Sequence, residues 1–213
     1  MKTLKKLAVA AALSATLPAF ADVVYLDFEG IGDYNPVGDY YNGGGGPNYG
    51  VSFSDATLAL VDSDAGGNGN FANEPSPDTI MFFLDANNAV LNVAAGFETG
   101  FSFYYTSSTA ATVTVYDGLD ATGNVLGTIT VDAQYNIGCS GDPSGDFCNW
   151  TAVGVAFDGV AKSIDFGGTA NQTGYDNITF GRDVPVVPEP STYALMALGL
   201  AGIGLASRRR KAG

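Results

Sequence analysis

Between Asp22 and Phe180 the apolar positions come in short runs, not in helical stripes. Asp22 to Phe28, Gly50 to Ser54, Thr57 to Val61, Thr79 to Leu84, Ala89 to Ala94 and Gly100 to Thr106 are rich in β-branched and aromatic residues. Gly, Asn, Asp or Pro bound them, which is the composition of strands between turns. Thr112 to Tyr116 and Val125 to Val131 alternate apolar and polar positions, with Asp117-Gly118 and Thr122-Gly123-Asn124 as turn material between them. Ala152 to Phe157, Lys162 to Phe166 and Asp176 to Phe180 complete the series. Ten or eleven strands at this spacing predict an all-β domain, a β-sandwich of the jelly-roll kind, with an up-and-down barrel as the alternative.

Two long interruptions break the pattern. Gly30 to Tyr49 holds four consecutive glycines and Tyr34, Tyr40, Tyr41 and Tyr49; Asp62 to Asp78 runs through Gly66-Gly67-Asn68-Gly69-Asn70 to Pro75 and Pro77. Loops of this length are uncommon unless they bind something or move. An exposed tyrosine offers a ring face to the C–H face of a pyranose and a hydroxyl to water, so Tyr40 and Tyr41 are candidate sugar-stacking residues. The alternative is that these tyrosines pack the loop onto the sheet.

The two ends have a different grammar. Met1 to Lys6 carries three lysines and no acid, Leu7 to Leu17 is apolar, and Ala19-Phe20-Ala21 has the A-x-A form of a cleavage site. That order predicts a signal peptide over 1–21, with the mature chain starting at Asp22. At the other end Pro188-Glu189-Pro190 precedes an apolar run from Ala194 to Ala206, and Arg208, Arg209, Arg210 and Lys211 follow. Cations behind an apolar segment are held on the cytoplasmic side. Thr192 to Ala206 makes about 22 Å of helix against a hydrocarbon core of about 30 Å, which suits a transient membrane segment better than a permanent span.

Over Val187 to Gly213 this three-part order closely resembles the PEP-CTERM sorting signal of Gram-negative bacteria that make exopolysaccharide. The resemblance implies processing by exosortase, a membrane cysteine transpeptidase, near Pro188-Glu189-Pro190. It also implies export through the inner membrane to the cell surface or extracellular matrix. The chain therefore divides into a signal peptide (1–21), a β-sandwich ectodomain (22–184) and a sorting signal with a transmembrane helix (185–213).

Charge narrows the partners. The ectodomain holds 21 acids against Lys162 and Arg182 alone, a net charge of −19. Such a surface repels nucleic acid and anionic lipid and is compatible with divalent cations or neutral polymers. Cys139 and Cys148, eight residues between them, read as a disulfide in an exported protein. With no histidine in the chain, the common zinc sets and a Ser-His-Asp triad are excluded. Body glutamates are only Glu29, Glu74 and Glu98, and none sits in an arrangement that pairs acids on one sheet face for glycoside hydrolysis.

Calcium is a more natural ligand for this composition, since hard cations want oxygens from Asp, Glu and carbonyl groups. Asp62-Ser63-Asp64-Ala65-Gly66 lacks the later ligands of an EF-hand. Asp27 and Glu29 are spaced by two at the end of the first strand, and Asp176 opens the last one. The body is similar to the jelly-roll ectodomains of PEP-CTERM proteins and, more loosely, to carbohydrate-binding modules. Those modules often hold a structural calcium between first and last strands, so Asp27, Glu29 and Asp176 are the candidate ligands, with solvated surface acids as the other reading. The expectation is a non-catalytic surface or matrix protein associated with exopolysaccharide. The alternatives are a lectin-like carbohydrate-binding module and, behind it, a glycoside hydrolase.

Overall fold

The structure, a computed structural model, describes residues 23–139 and 146–180. The expected signal peptide, Pro188-Glu189-Pro190, the expected transmembrane segment and Arg208 to Arg210 lie outside the described residues. Within them there are nine strands and no helix: β1 (Val24–Leu26), β2 (Val51–Phe53), β3 (Leu58–Val61), β4 (Thr79–Phe82), β5 (Asn88–Ser107), β6 (Ala111–Tyr116), β7 (Val125–Val131), β8 (Thr151–Gly167) and β9 (Thr173–Phe180). Every pairing between them is antiparallel.

Two pairs of expected strands are each one long strand. Ala89–Ala94 and Gly100–Thr106 fuse into β5, and Ala152–Phe157 and Lys162–Phe166 into β8. The breaks read from the small residues between them are β-bulges, with register shifts between Asn92 and Phe97 and between Glu98 and Gly100. A bulge bends a strand without ending it. Gly96 sits there at φ 79°, and a Cβ on it would meet Val160 Cγ1 at 2.4 Å, so only glycine fits the bend without displacing its neighbour.

The bend makes the sandwich. The first half of β5 pairs with β2 and with the second half of β8, which carries β6 and then β7. The second half of β5 pairs with the first half of β8 and with β9, which carries β4 and β1, and β4 carries β3. One bent ribbon thus belongs to both layers, and the chain crosses between them repeatedly, as in a jelly roll. Alternate residues of each layer fill the space between. Phe166 of the β6 layer meets Phe103 and Tyr175 of the β9 layer edge-on, with centroids 5.6 and 5.0 Å apart. Such ring pairs add about 0.5–1.5 kcal/mol each to the gain from burial.

The two long loops are structural covers. Along the free edge of β3, Tyr34 N–H donates to Ala59 O (2.9 Å), Ala59 N–H to Asn35 O (2.9 Å) and Val37 N–H to Thr57 O (3.0 Å). On β2, Phe53 N–H donates to Gly38 O at 2.9 Å. Residues 30–49 therefore satisfy two exposed sheet edges, which would otherwise invite pairing with another chain. Residues 62–78 lie on the outer face of the β9 layer. Leu60, Phe71, Ile80 and Phe82 form a second apolar cluster there, with Phe147 and Trp150 packed against it.

Candidate functional site

The outer face of the β9 layer gathers the chemistry. Val24 and Leu26 of β1 face the core, so Tyr25 faces out; Phe103 and Tyr105 of β5 face in, so Tyr104 faces out. On β9 between them, Asp176 also leaves the core side, yet it is 0 % exposed, because Ser76 of the 62–78 loop covers it.

The structure brings Asp27, Glu29 and Asp176 to this one end of the face, and it also occupies their oxygens. Asp176 Oδ2 accepts from Ser76 N–H (2.9 Å) and from the Ser76 hydroxyl (2.7 Å), and Oδ1 from Asn177 N–H (2.6 Å). Burial pushes the Asp176 carboxyl up to about 7; these donors oppose the shift, and the Glu29 charge adds to it. Glu29 Oε1 accepts from Asp78 N–H (3.0 Å) and Thr79 N–H (2.9 Å), and Oε2 from the Thr79 hydroxyl (3.1 Å). Asp27 Oδ1 accepts from Glu29 N–H at 3.3 Å and from the Tyr41 hydroxyl at 3.5 Å. Two of the carboxylates act as clasps: Asp176 pins the 62–78 loop to β9 and Glu29 pins the loop's end to the segment after β1, while Asp27 holds the local turn and the Tyr41 hydroxyl. Asp176 is not a solvated surface acid. For calcium the fit is poor as the side chains stand, since a cation would have to take the oxygens from these N–H and O–H donors. Among the described residues no group of three or more His, Cys, Asp or Glu side chains is disposed to hold a metal ion.

Tyr41 is a packing residue, and Tyr40 is half-buried beside a recess that Ile31, Val37 and Gly45 also line. Tyr41 is 2 % exposed, its ring lies edge-on to Phe28 with centroids 6.0 Å apart, and its hydroxyl accepts from Phe28 N–H at 2.6 Å. Its ring has no free face for a sugar. Tyr40 donates its hydroxyl to Glu29 O (3.0 Å) and stands against Gly46, where a Cβ would come within 2.4 Å of Tyr40 Cε1. The glycine run in the loop gives this ring its room.

Among the described residues Tyr25, Tyr34, Tyr49 and Tyr104 are exposed; of these, Tyr25 and Tyr104, which sequence reasoning did not single out, stand on strands that flank β9. Tyr25 is 46 % and Tyr104 37 % exposed. The Tyr25 hydroxyl donates to Asn177 Oδ1, and its acidity is weakened by burial first, then by Asp176, Asp27 and Tyr104 close by. The signal was present in Phe101-Ser102-Phe103-Tyr104-Tyr105, where two inward phenylalanines put Tyr104 on the opposite face by strand alternation.

Two residues further along β5 lies Thr106, 1 % exposed, whose hydroxyl has no hydrogen-bond partner. It lines a small recess with Phe71, Ile80, Phe82 and Phe147, and with Asn171 and Gln172. Gly174 borders it because a Cβ there would come within 2.8 Å of Ile80 Cδ1. Trp150 packs in the same region and donates its indole N–H to Ala72 O at 3.0 Å. Cys139 and Cys148 form the expected disulfide, with Cα atoms 5.5 Å apart. Among the other acids, Glu74 is half-buried and pushed up to about 7 by burial first, with Asp62, Asp64 and Asp78 adding to the shift.

Comparison with known proteins adds one decisive match. Residues 186–211 match the family described as the PEP-CTERM protein-sorting motif. The chain ends in a PEP-CTERM sorting motif. A chain bearing PEP-CTERM is an exported protein sorted to the cell envelope of a Gram-negative bacterium, with exosortase as the sorting enzyme. No curated protein matches the chain. Among solved structures, a family 6 carbohydrate-binding module is similar at 17 % identity and a TM-score of 0.40, covering 75 % of this chain and 94 % of that one. The family 6 module of Cellvibrio mixtus lichenase 5A, solved with cellotriose, is similar at 14 % identity and a TM-score of 0.36, over 60 % of this chain and 88 % of that one. The K1 adhesin domain of Lys-gingipain from Porphyromonas gingivalis W83 is similar at 11 % identity and a TM-score of 0.46, over 76 % of this chain and 99 % of that one. At these scores they assign neither ligand nor activity to this chain.

Proposed function

We propose that this chain is a non-catalytic cell-surface or matrix protein that associates with exopolysaccharide. Its 1–21 segment is removed on export, its 22–184 ectodomain works outside, and exosortase acts at Pro188-Glu189-Pro190, with the apolar segment and Arg208 to Arg210 in the membrane only during sorting. The observation that carries this reading is the match of residues 186–211 to the sorting motif. Support for a binding rather than a catalytic role comes from Glu29, whose two carboxylate oxygens hold the backbone N–H groups of Asp78 and Thr79 and the Thr79 hydroxyl. The acidic ectodomain favours an uncharged polymer over nucleic acid or anionic lipid.

The test is the intact mass of the protein recovered from the surface fraction of cells with and without exosortase, together with its co-sedimentation with the cells' polysaccharide. The expected mass lacks both 1–21 and the segment beyond the Pro-Glu-Pro motif when exosortase is present, and lacks 1–21 alone when it is absent. A surface form that retains both ends overturns the processing, and release of reducing sugar from the polymer, lost in Glu29→Gln or Glu98→Gln, overturns the non-catalytic role.

A further inference from the structure

Tyr25 and Tyr104 are exposed rings that face a common direction on the two strands flanking β9. Their strands flank β9, so their backbones are separated by two interstrand spacings, about 10 Å in all. Tyr25 pairs with Thr179, which pairs with Ser102, one turn of the pleat from Tyr104. Beyond Tyr104 the neighbouring strand offers Ala152 and then Gly154, side chains too small to rise beside the ring. The result is a ledge with two aromatic faces standing above a floor of small and hydroxylated residues.

We propose that this ledge binds an uncharged glycan, with Tyr25 and Tyr104 each under a pyranose ring and Thr179 and Ser102 within reach of the sugar hydroxyls. The inference rests on the polysaccharide-associated reading and names its site. A tyrosine face covers the apolar C–H surface of a sugar and loses little side-chain entropy in doing so. Charge selects the occupant. Lys162 is the one Lys or Arg among the described residues, and it lies on the second half of β8, which belongs to the other layer. Asp176, paired with Tyr104, and Asp27 and Glu29 lie close enough for their charge to act on the Tyr25 hydroxyl. An anionic glycan meets no cation there and is repelled; an uncharged one incurs neither cost. The Tyr25 hydroxyl, held by Asn177, fixes one ring before the ligand arrives, which lowers the ordering cost of binding.

Electrophoresis of the full-length protein in mild detergent, through gels containing hydroxyethyl cellulose, laminarin, xylan, alginate or chitosan, tests the site. The expected result is retardation by a neutral polymer and none by alginate. Tyr25→Ala and Tyr104→Ala should each weaken it by about tenfold or more, as loss of an aromatic anchor does. Tyr104→Trp, which keeps a ring on the ledge, should retain binding, and unchanged thermal melting of each variant shows that the fold survives. Should Tyr104→Ala fail to fold, protection of Tyr104 from nitration by the bound neutral polymer takes its place. Equal retardation of wild type and both alanine variants overturns the ledge and leaves the polysaccharide-associated reading standing. Failure of every neutral polymer to retard the wild type overturns both. Retardation by chitosan alone, indifferent to the tyrosines, assigns the interaction to acidic charge and overturns the ledge as well.

Discussion

Asp176 shows how one residue can look like a ligand in sequence and serve as a clasp in the fold. Its folded pKa, about 7, lies above the ordinary aspartate value. The native state therefore holds more protons than the unfolded chain between about pH 4 and 7, and its stability falls as pH rises through that window. Glu74, also raised to about 7, acts in the same direction. The melting temperature is expected to be higher at pH 5 than at pH 8. Asp176→Asn should lower it at both while flattening the slope, since an amide presents an N–H to a backbone donor wherever it points; melting curves across the pH series check both effects. Addition of calcium at pH 8 should leave the melting temperature unchanged, and a calcium-dependent rise would mean that the clasps open to take the ion. Thr106 makes the opposite case. Its buried hydroxyl lacks a partner, so Thr106→Val should raise the unfolding free energy by about 1 kcal/mol in a denaturant titration, the cost of an unsatisfied polar group being of that order.

At the scale of the element, the long strands β5 and β8 are what turn one sheet into two layers. Their bulges depend on backbone that leaves the usual strand region, with Gly96 at φ 79° and Gly159 at φ 98°. Gly96→Ala is expected to cost about 1–3 kcal/mol from backbone strain alone, before the contact with Val160 is counted, and a shift of the denaturant midpoint measures it. Strand identity was legible because β-branched and aromatic runs alternate as strands do. The fusion of four expected strands into two was not, because Ala94-Ala95-Gly96 and Asp158-Gly159 look the same whether the chain turns back or bends and goes on. Hydrogen bonds to a partner strand make that choice, and they are long-range. Loop length misled for a related reason. Residues 30–49 and 62–78 are long because they have two sheet edges and an apolar face to cover, and sequence alone does not say where an edge will be.

At the scale of the whole molecule, an ectodomain of net charge −19 repels itself, and salt should relieve this. The melting temperature is expected to rise between about 0.01 M and 0.1 M salt, as the Debye length falls from about 30 to about 10 Å. A flat response would mean that repulsion among the acids contributes nothing measurable to stability. The sequence by itself determined the class of fold, the disulfide pair and the terminal sorting motif, because each is written in local order: alternation, an isolated cysteine pair, and a Pro-Glu-Pro followed by an apolar run and arginines. Tertiary structure alone decided which tyrosines are free. Tyr41 and Tyr104 are alike as residues, and only the packing of one under Phe28 and the outward turn of the other beside β9 distinguishes a core ring from an open one. Burial is a property of the partners a side chain meets across the fold, and those partners lie far away in the chain.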